Sequence, residues 1–129
     1  MKTELMYLVY VTTLTALIWV PYILDRIAIQ RLDAFGYPEN PKPQSRWAVR
    51  MWKAHHNAVE NLAIFAALVL AAQALGVSNG ATATAAVVYF WARVVHLAAY
   101  TFAIPWVRTL AFAAGFFAQM TFAWQILAR

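Results

Sequence analysis

Residues 61–92 contain no charged side chain, a run of 32, and residues 5–24 and 109–128 form two further uncharged runs of 20. An α-helix rises about 1.5 Å per residue, so a helix of 20 apolar residues is as long as the hydrocarbon layer of a bilayer is thick, about 30 Å. The longest run exceeds one span and carries Gly76, Ser78, Asn79 and Gly80 near its middle, residues that favour turns, so it divides between two helices. Pro105 supplies a stop before the last run, because proline has no N–H to give the helix. The reading is an all-α integral membrane protein, a bundle of four transmembrane helices at about 4–31, 46–75, 81–103 and 106–128, with Pro21 kinking the first near its end. Composition agrees: 64% of the 129 residues are hydrophobic and 12% charged, apolar surface that a soluble chain of this size could not hide. By size the chain is one membrane domain, residues 1–129.

Lys2 followed by an apolar stretch also resembles the opening of a signal peptide. The stretch is long for that purpose, and Tyr22, Ile23, Leu24 and Asp25 offer no small-residue cleavage site. There is no cysteine, which excludes disulfides and thiolate-held metals, and any thiol chemistry needs a borrowed thiol. Arg26, Arg31, Lys42, Arg46, Arg50 and Lys53 flank the first long connection and Arg108 falls on the same side, whereas the turn at 76–80 is uncharged. Basic residues collect on the cytoplasmic side of multi-pass proteins, so the 31–46 loop is expected there and both termini opposite. The net charge of +5 is then chiefly a topology signal, with some attraction for anionic lipid or substrate. No basic helix or stacking platform points to nucleic acid. Within the connection, Pro38, Pro41 and Pro43 make a semi-rigid loop, and Ser45 is the expected N-cap of the second span.

The polar residues inside the spans carry the functional information. Arg50, Lys53, Asn57 and Glu60 follow a 3-4-3 spacing, one stripe of the second span, and Arg93, His96 and Tyr100 share a sector of the third. The second span starts on the cytoplasmic side and the third ends there. Glu60 therefore comes to the depth of Arg93, His96 and Tyr100, near Arg108 at the start of the fourth span. An ionised group inside the bilayer is costly unless it is paired or faces water, so Glu60 and Arg93 are expected to face inward. Two readings follow: a structural Glu60–Arg93 ion pair, or a ligand pocket opening to the cytoplasm. The convergence of Asn57, His96, Tyr100 and Arg108 on the same depth favours the pocket.

Other residues read more simply. His55 and His56 are adjacent and point about 100° apart on a helix, so they cannot share a metal ion; no metal site is expected. Trp19, Trp47, Trp52, Trp91, Trp106 and Trp124 fall mostly near predicted span ends and read as an interfacial belt. Gly115 and the many alanines of the fourth span suggest close helix packing, between subunits. The alanine-rich, compact chain suggests a bacterial version, for which a bacterial inner membrane is the expected location.

The segment holding Arg50, Lys53, His55, His56, Asn57, Glu60 and Asn61 resembles the second-helix signature of the membrane-associated proteins in eicosanoid and glutathione metabolism, MAPEG. Arg93, His96 and Tyr100, followed by Arg108 and Thr109, resemble the same family's third-helix motif and the arginine that opens its fourth helix. Lys53 stands where the family pattern has an arginine, and His56 where some members carry a second one. The resemblance implies a homotrimer binding glutathione between neighbouring subunits on the cytoplasmic side. It implies that Asn57 and Glu60 hold the γ-glutamyl end, with Glu60 on its ammonium, and that Lys53, Arg93, His96 and Tyr100 line the pocket. It implies that Arg108 stabilises the thiolate and Thr109 donates a hydrogen bond.

Three functions stay open from the sequence. The first is a membrane-bound glutathione transferase, with or without peroxidase activity, that uses glutathione as cosubstrate to attack lipophilic electrophiles arriving from the bilayer. The second is a non-catalytic trimeric subunit that binds or scaffolds a larger complex. The third, a small transporter, lacks the inverted repeats and broken helices that such proteins show.

Overall fold

The computed structural model describes residues 2–37, 39–40 and 42–129, without the side chains of 32 and 33. Pro38 and Pro41, two of the three prolines behind the expected semi-rigid loop, lie outside the described residues. The described residues form five α-helices: α1 (Thr3–Leu17), α2 (Trp19–Gln30), α3 (Arg46–Ala74), α4 (Gly80–Thr101) and α5 (Val107–Leu127), with a short 3-10 turn at Arg31–Phe35 after α2. α1 and α2 form one continuous span, Thr3–Gln30, so four segments among the described residues are long and apolar enough to cross a membrane. The protein is a four-span helical membrane bundle.

The first span breaks at Ile18 rather than near its end. Pro21 has no N–H for the carbonyl of Leu17, four residues back, so the ladder is interrupted there. Ile18 keeps right-handed angles (φ −60°, ψ −31°), and the span continues past it. Ser45 sits at the start of α3 but does not cap it with its side chain. Its hydroxyl donates instead to Asp25 Oδ1 at 2.6 Å, and its N–H to Asp25 Oδ2 at 3.1 Å. The nearby acidic side chain outcompetes the helix for the hydroxyl, and the contact joins α2 to the start of α3. At 29 residues, α3 is about 44 Å long. That exceeds the hydrocarbon thickness of about 30 Å, so its first turns, bearing Arg46, Arg50 and Lys53, extend toward water.

α4 is the hub, packing against α1, α3 and α5. Around the half near the 76–80 turn, Leu8, Val11, Phe65, Val69, Ala86, Tyr89 and Phe122 form a shared core. The Phe65 and Tyr89 rings stack at 3.8 Å and 9°, with Phe122 edge-on to Phe65. Gly115 belongs to this packing: its missing Cβ would lie 3.7 Å from the Tyr89 ring and 3.9 Å from Ala92, so the close approach is within the chain. The same end carries a polar clasp. Glu4, buried, accepts from Ser78 Oγ at 2.6 Å and from Thr82 Oγ1 at 3.0 Å. Asn79 caps α4 through a reciprocal capping box with Thr82 and donates to Gln125 Oε1 on α5 at 2.9 Å. The opposite, basic end is less closed. There Ile18, Tyr22, Ala48 and Ala58 join the first span to α3 in a second cluster, and the ends of α4 and α5 leave room beside it.

α3 and α4 end in the same way, with different residues. After α3, Gly76 N–H bonds to Gln73 O and Val77 N–H to Ala72 O; after α4, Ala103 N–H bonds to Tyr100 O and Ile104 N–H to Ala99 O. Both are Schellman terminations, which need a left-handed residue just past the helix. Gly76 supplies it at φ 70° and Ala103 at φ 56°. A Cβ at Gly76 would meet nothing within 4 Å, so the cost of alanine there is conformational alone. Gly76→Ala should therefore lower stability by about 1 kcal/mol, and Ala103→Gly should raise it by a smaller amount, about 0.5 kcal/mol. Thermal unfolding in detergent reads both; an unchanged midpoint for Gly76→Ala would contradict the left-handed termination.

Candidate functional site

The site begins with a buried guanidinium. Arg93, less than one turn past the middle of α4, is 4% exposed. Its Nη2 donates to Asn57 Oδ1 on α3 at 2.7 Å. Asn57 in turn accepts from Asn61 Nδ2, at its backbone carbonyl (2.9 Å) and its side-chain oxygen (3.3 Å). Gln119 on α5 donates to the Asn61 carbonyl at 3.1 Å. One polar chain thus crosses α4, α3 and α5 where a membrane bundle would otherwise be apolar. In such surroundings a polar group without a partner costs more than the bond returns in water, so the chain fixes how the helices face one another. Asn61 and Gln119 were given no role from sequence; Gln119, a polar residue within the uncharged run 109–128, was a visible signal.

Glu60 does not pair with Arg93. No carboxylate lies within ion-pair distance of a basic side chain among the described residues, and Glu60 is exposed on the surface of the single chain. The reason is helical phase. Ala54, Ala58 and Phe65 mark the buried face of α3; at 100° per residue Asn61 lies toward that face from Asn57, while Glu60 and Lys53 lie about 40–60° to its other side. Lys53 is likewise exposed. Asn57 stands on the rim between the two directions, and it takes the arginine.

Beside this network lies a cavity of about 310 Å³ lined by Asn57, His96, Tyr100, Arg108, Thr109 and Phe112, near the lower bound of pockets that hold small organic ligands, about 300–1,000 Å³. His96 is 2% exposed, and its Nδ1 has no hydrogen-bond partner in the structure. Its ring meets Tyr100 edge-on at 5.7 Å and lies 6.4 Å from Phe112. The Arg108 guanidinium sits over the Tyr100 ring, 4.8 Å from its centroid, a cation–π contact that holds it at the mouth. Five of the sequence-predicted residues, Asn57, His96, Tyr100, Arg108 and Thr109, therefore line one cavity, and Arg93 braces its wall from behind. Phe112 has no signal in the sequence, where it is one more aromatic in an apolar span.

The chemistry of the lining is one-sided. It offers a guanidinium, a phenol, a hydroxyl, an amide and an imidazole, and no carboxylate. Such a set favours an anion or a developing negative charge. His55 and His56 are engaged elsewhere: His55 Nδ1 shares a 2.7 Å hydrogen bond with Tyr22 Oη, His56 Nδ1 shares one of 2.9 Å with the Trp52 carbonyl, and their rings are 6.3 Å apart at 72°. Among the described residues, no three His, Asp or Glu side chains are grouped to hold a metal ion.

Removing the amide from this network leaves the buried guanidinium without its neutral acceptor. Asn57→Ala should lower stability by about 2 kcal/mol, in the range for hydrogen bonds to charged groups. The combination with Arg93→Met should cost less than the sum of the two single changes. A double-mutant cycle on detergent-solubilised protein checks this; strict additivity would show that the bond carries no energy.

Comparison with known proteins gives one positive result. A family model, that of the MAPEG family, matches residues 7–128. Searches of curated proteins and of solved structures return no match. The match spans all four transmembrane segments and both polar motifs, and the chain belongs to the MAPEG family, membrane proteins of eicosanoid and glutathione metabolism.

Proposed function

We propose that the protein is a membrane-bound glutathione transferase that activates the glutathione thiol for attack on lipophilic electrophiles, with peroxide reduction as a related capacity. The observation that carries this reading is the Arg108 guanidinium, held over Tyr100 at the mouth of a carboxylate-free cavity. A thiol ordinarily loses its proton near pH 8.5, and a cation beside the sulfur favours the thiolate. The thiolate sulfur then forms a bond to the electrophilic carbon while the leaving group departs with its electron pair. Arg108 stabilises the sulfur's charge, and Thr109 adds a hydrogen bond. Nothing in this step requires an acid-base triad; a positioned thiolate and an oriented electrophile suffice.

Lys53, Asn57, Glu60, Arg93, His96 and Tyr100 are the proposed glutathione-binding set. Glu60 pairs the γ-glutamyl ammonium, Asn57 contacts the same end, Lys53 faces a carboxylate, and His96 and Tyr100 shape the wall that Arg93 braces. Glu60 and Lys53 lie outside the cavity of the single chain. Glu60 is fourteen positions along α3 from Arg46, about 21 Å, inside the hydrocarbon region. A carboxylate left against lipid at that depth costs several kcal/mol, which supports a neighbouring subunit as the missing wall. The proposed assembly is a homotrimer with pockets between subunits, its 31–46 loop and pockets facing the cytoplasm and both termini opposite, in a bacterial inner membrane.

Calorimetry with detergent-purified protein tests binding, and a chromogenic electrophile tests turnover. Glu60→Gln should weaken glutathione binding at least tenfold, about 1.4 kcal/mol. Arg108→Ala should retain binding while turnover falls by roughly 10²–10³-fold, as when one charge-stabilising donor is removed. Saturable binding without turnover in the wild type would favour the non-catalytic binding subunit; no binding at millimolar glutathione would sink the transferase reading.

A further inference from the structure

A second cavity, also about 310 Å³, lies on the other side of the Tyr100–Arg108 wall, lined among others by Arg50, Tyr100, Ile104, Pro105, Trp106 and Arg108. It opens where α3 begins and where α4 passes into α5. Arg50 is half-buried, and its Nε donates to the Thr101 carbonyl at 2.8 Å, closing the C-terminal end of α4. Its two Nη groups have no hydrogen-bond partner among the described residues. Arg108 has its Tyr100 contact and no carboxylate partner there. Two guanidinium groups thus border one cavity with no counter-charge among the described residues.

The connection above them is apolar and outward. Phe102, Ile104 and Trp106 are 69%, 44% and 81% exposed. Ala103 and Trp106 hold left-handed backbone angles, φ 56° and φ 68°, which cost L-residues energy and turn the chain sharply. Three exposed apolar side chains at the basic end of a transmembrane bundle belong in the headgroup layer, where tryptophan is favoured and phosphate is concentrated. A zwitterionic headgroup would bring a quaternary or primary ammonium to a cavity lined by two guanidiniums and no Asp or Glu among the described residues; an anionic one without an ammonium, such as phosphatidylglycerol, would not.

We infer that this second cavity binds the headgroup of an anionic phospholipid, its phosphate between Arg50 and Arg108 and its glycerol end against Trp106 and Ile104. The inference needs only the fold and its place in a bilayer, and it stands or falls apart from the transferase reading. The same chemistry is offered by soluble phosphate esters. The apolar connection favours the lipid, since a soluble ester would gain nothing from it.

Lipid retention by native mass spectrometry tests this, using full-length protein exchanged into mixtures of phosphatidylglycerol and phosphatidylcholine. Wild type should retain phosphatidylglycerol over phosphatidylcholine by about tenfold, the order expected for two basic side chains at an anionic headgroup. Arg50→Gln and Trp106→Ala should each lower that preference at least about threefold, whereas Arg46→Gln, at the exposed start of the same helix, should leave it intact. Trp106 is outside the packed core, so its variant carries the test if Arg50→Gln fails to fold. Equal retention of the two lipids would overturn the proposal, as would a loss from Arg46→Gln equal to that from Arg50→Gln, which would mean diffuse surface charge. Millimolar glycerol phosphate should not displace the bound lipid; full displacement would assign the cavity to a soluble phosphate ester and overturn the lipid site.

Discussion

A guanidinium inside a bilayer cannot be satisfied by solvent, and the bundle is arranged around the one that α4 carries. Arg93 lies 4% exposed with its Nη2 on Asn57, and Asn57 is joined through Asn61 to Gln119 on α5. The packing in this half of the bundle is otherwise alanine, glycine and a few rings, which would tolerate many rotations of one helix against another. A chain of directional hydrogen bonds does not. It sets the facing of α3, α4 and α5 together, and by turning Asn57 inward it leaves Lys53 and Glu60 outward.

The two ends of the bundle divide stability from reactivity. At the 76–80 turn, the Phe65–Tyr89 stack, the Glu4 contacts to Ser78 and Thr82, and the Asn79–Gln125 bond close α1, α3, α4 and α5 on one another. At the basic end, α2 is tied to α3 through Asp25 and Ser45, while α4 passes into α5 through an apolar connection with two left-handed non-glycine residues. Strain of this kind persists where neighbouring structure holds it. Here the Arg50 bond to Thr101 and the stacking of Arg108 on Tyr100 stand on either side of the strained segment.

The spans were legible because uncharged runs of helical length in a membrane leave few alternatives. The pairing of residues across them was not. Spacing alone placed Asn57 and Glu60 on one stripe, and either could have met Arg93; the choice turned on a rotation of about 60°, which depends on whether Ala54, Ala58 and Phe65 pack against neighbours. Charge complementarity favoured Glu60, and phase favoured Asn57. Ser45 illustrates the same limit: its place before α3 was readable, but Asp25, 20 residues earlier, came within reach only through the return of the chain. The candidate site was most legible on α4, where Arg93, His96 and Tyr100 do share a side. It was least legible in Phe112 and Trp106, aromatics whose significance comes from the cavities they border.

Arg108 and Tyr100 border both cavities, and this common wall gives the two proposals a physical relation. A guanidinium has five N–H donors in a planar fork, enough to face a sulfur on one side and a phosphate on the other, but it carries one charge. An anion in the outer cavity would offset part of the field that Arg108 exerts in the inner one, weakening its hold on a thiolate. It would also fix a side chain that is otherwise exposed and tethered by a single ring contact, reducing the ordering needed when a thiolate arrives. The first effect opposes thiolate formation and the second favours it, and whichever is larger acts equally in both directions, because the coupling between two binding events is reciprocal. The membrane surface and the proposed glutathione pocket would then communicate through one side chain, with no movement of the helices that carry it.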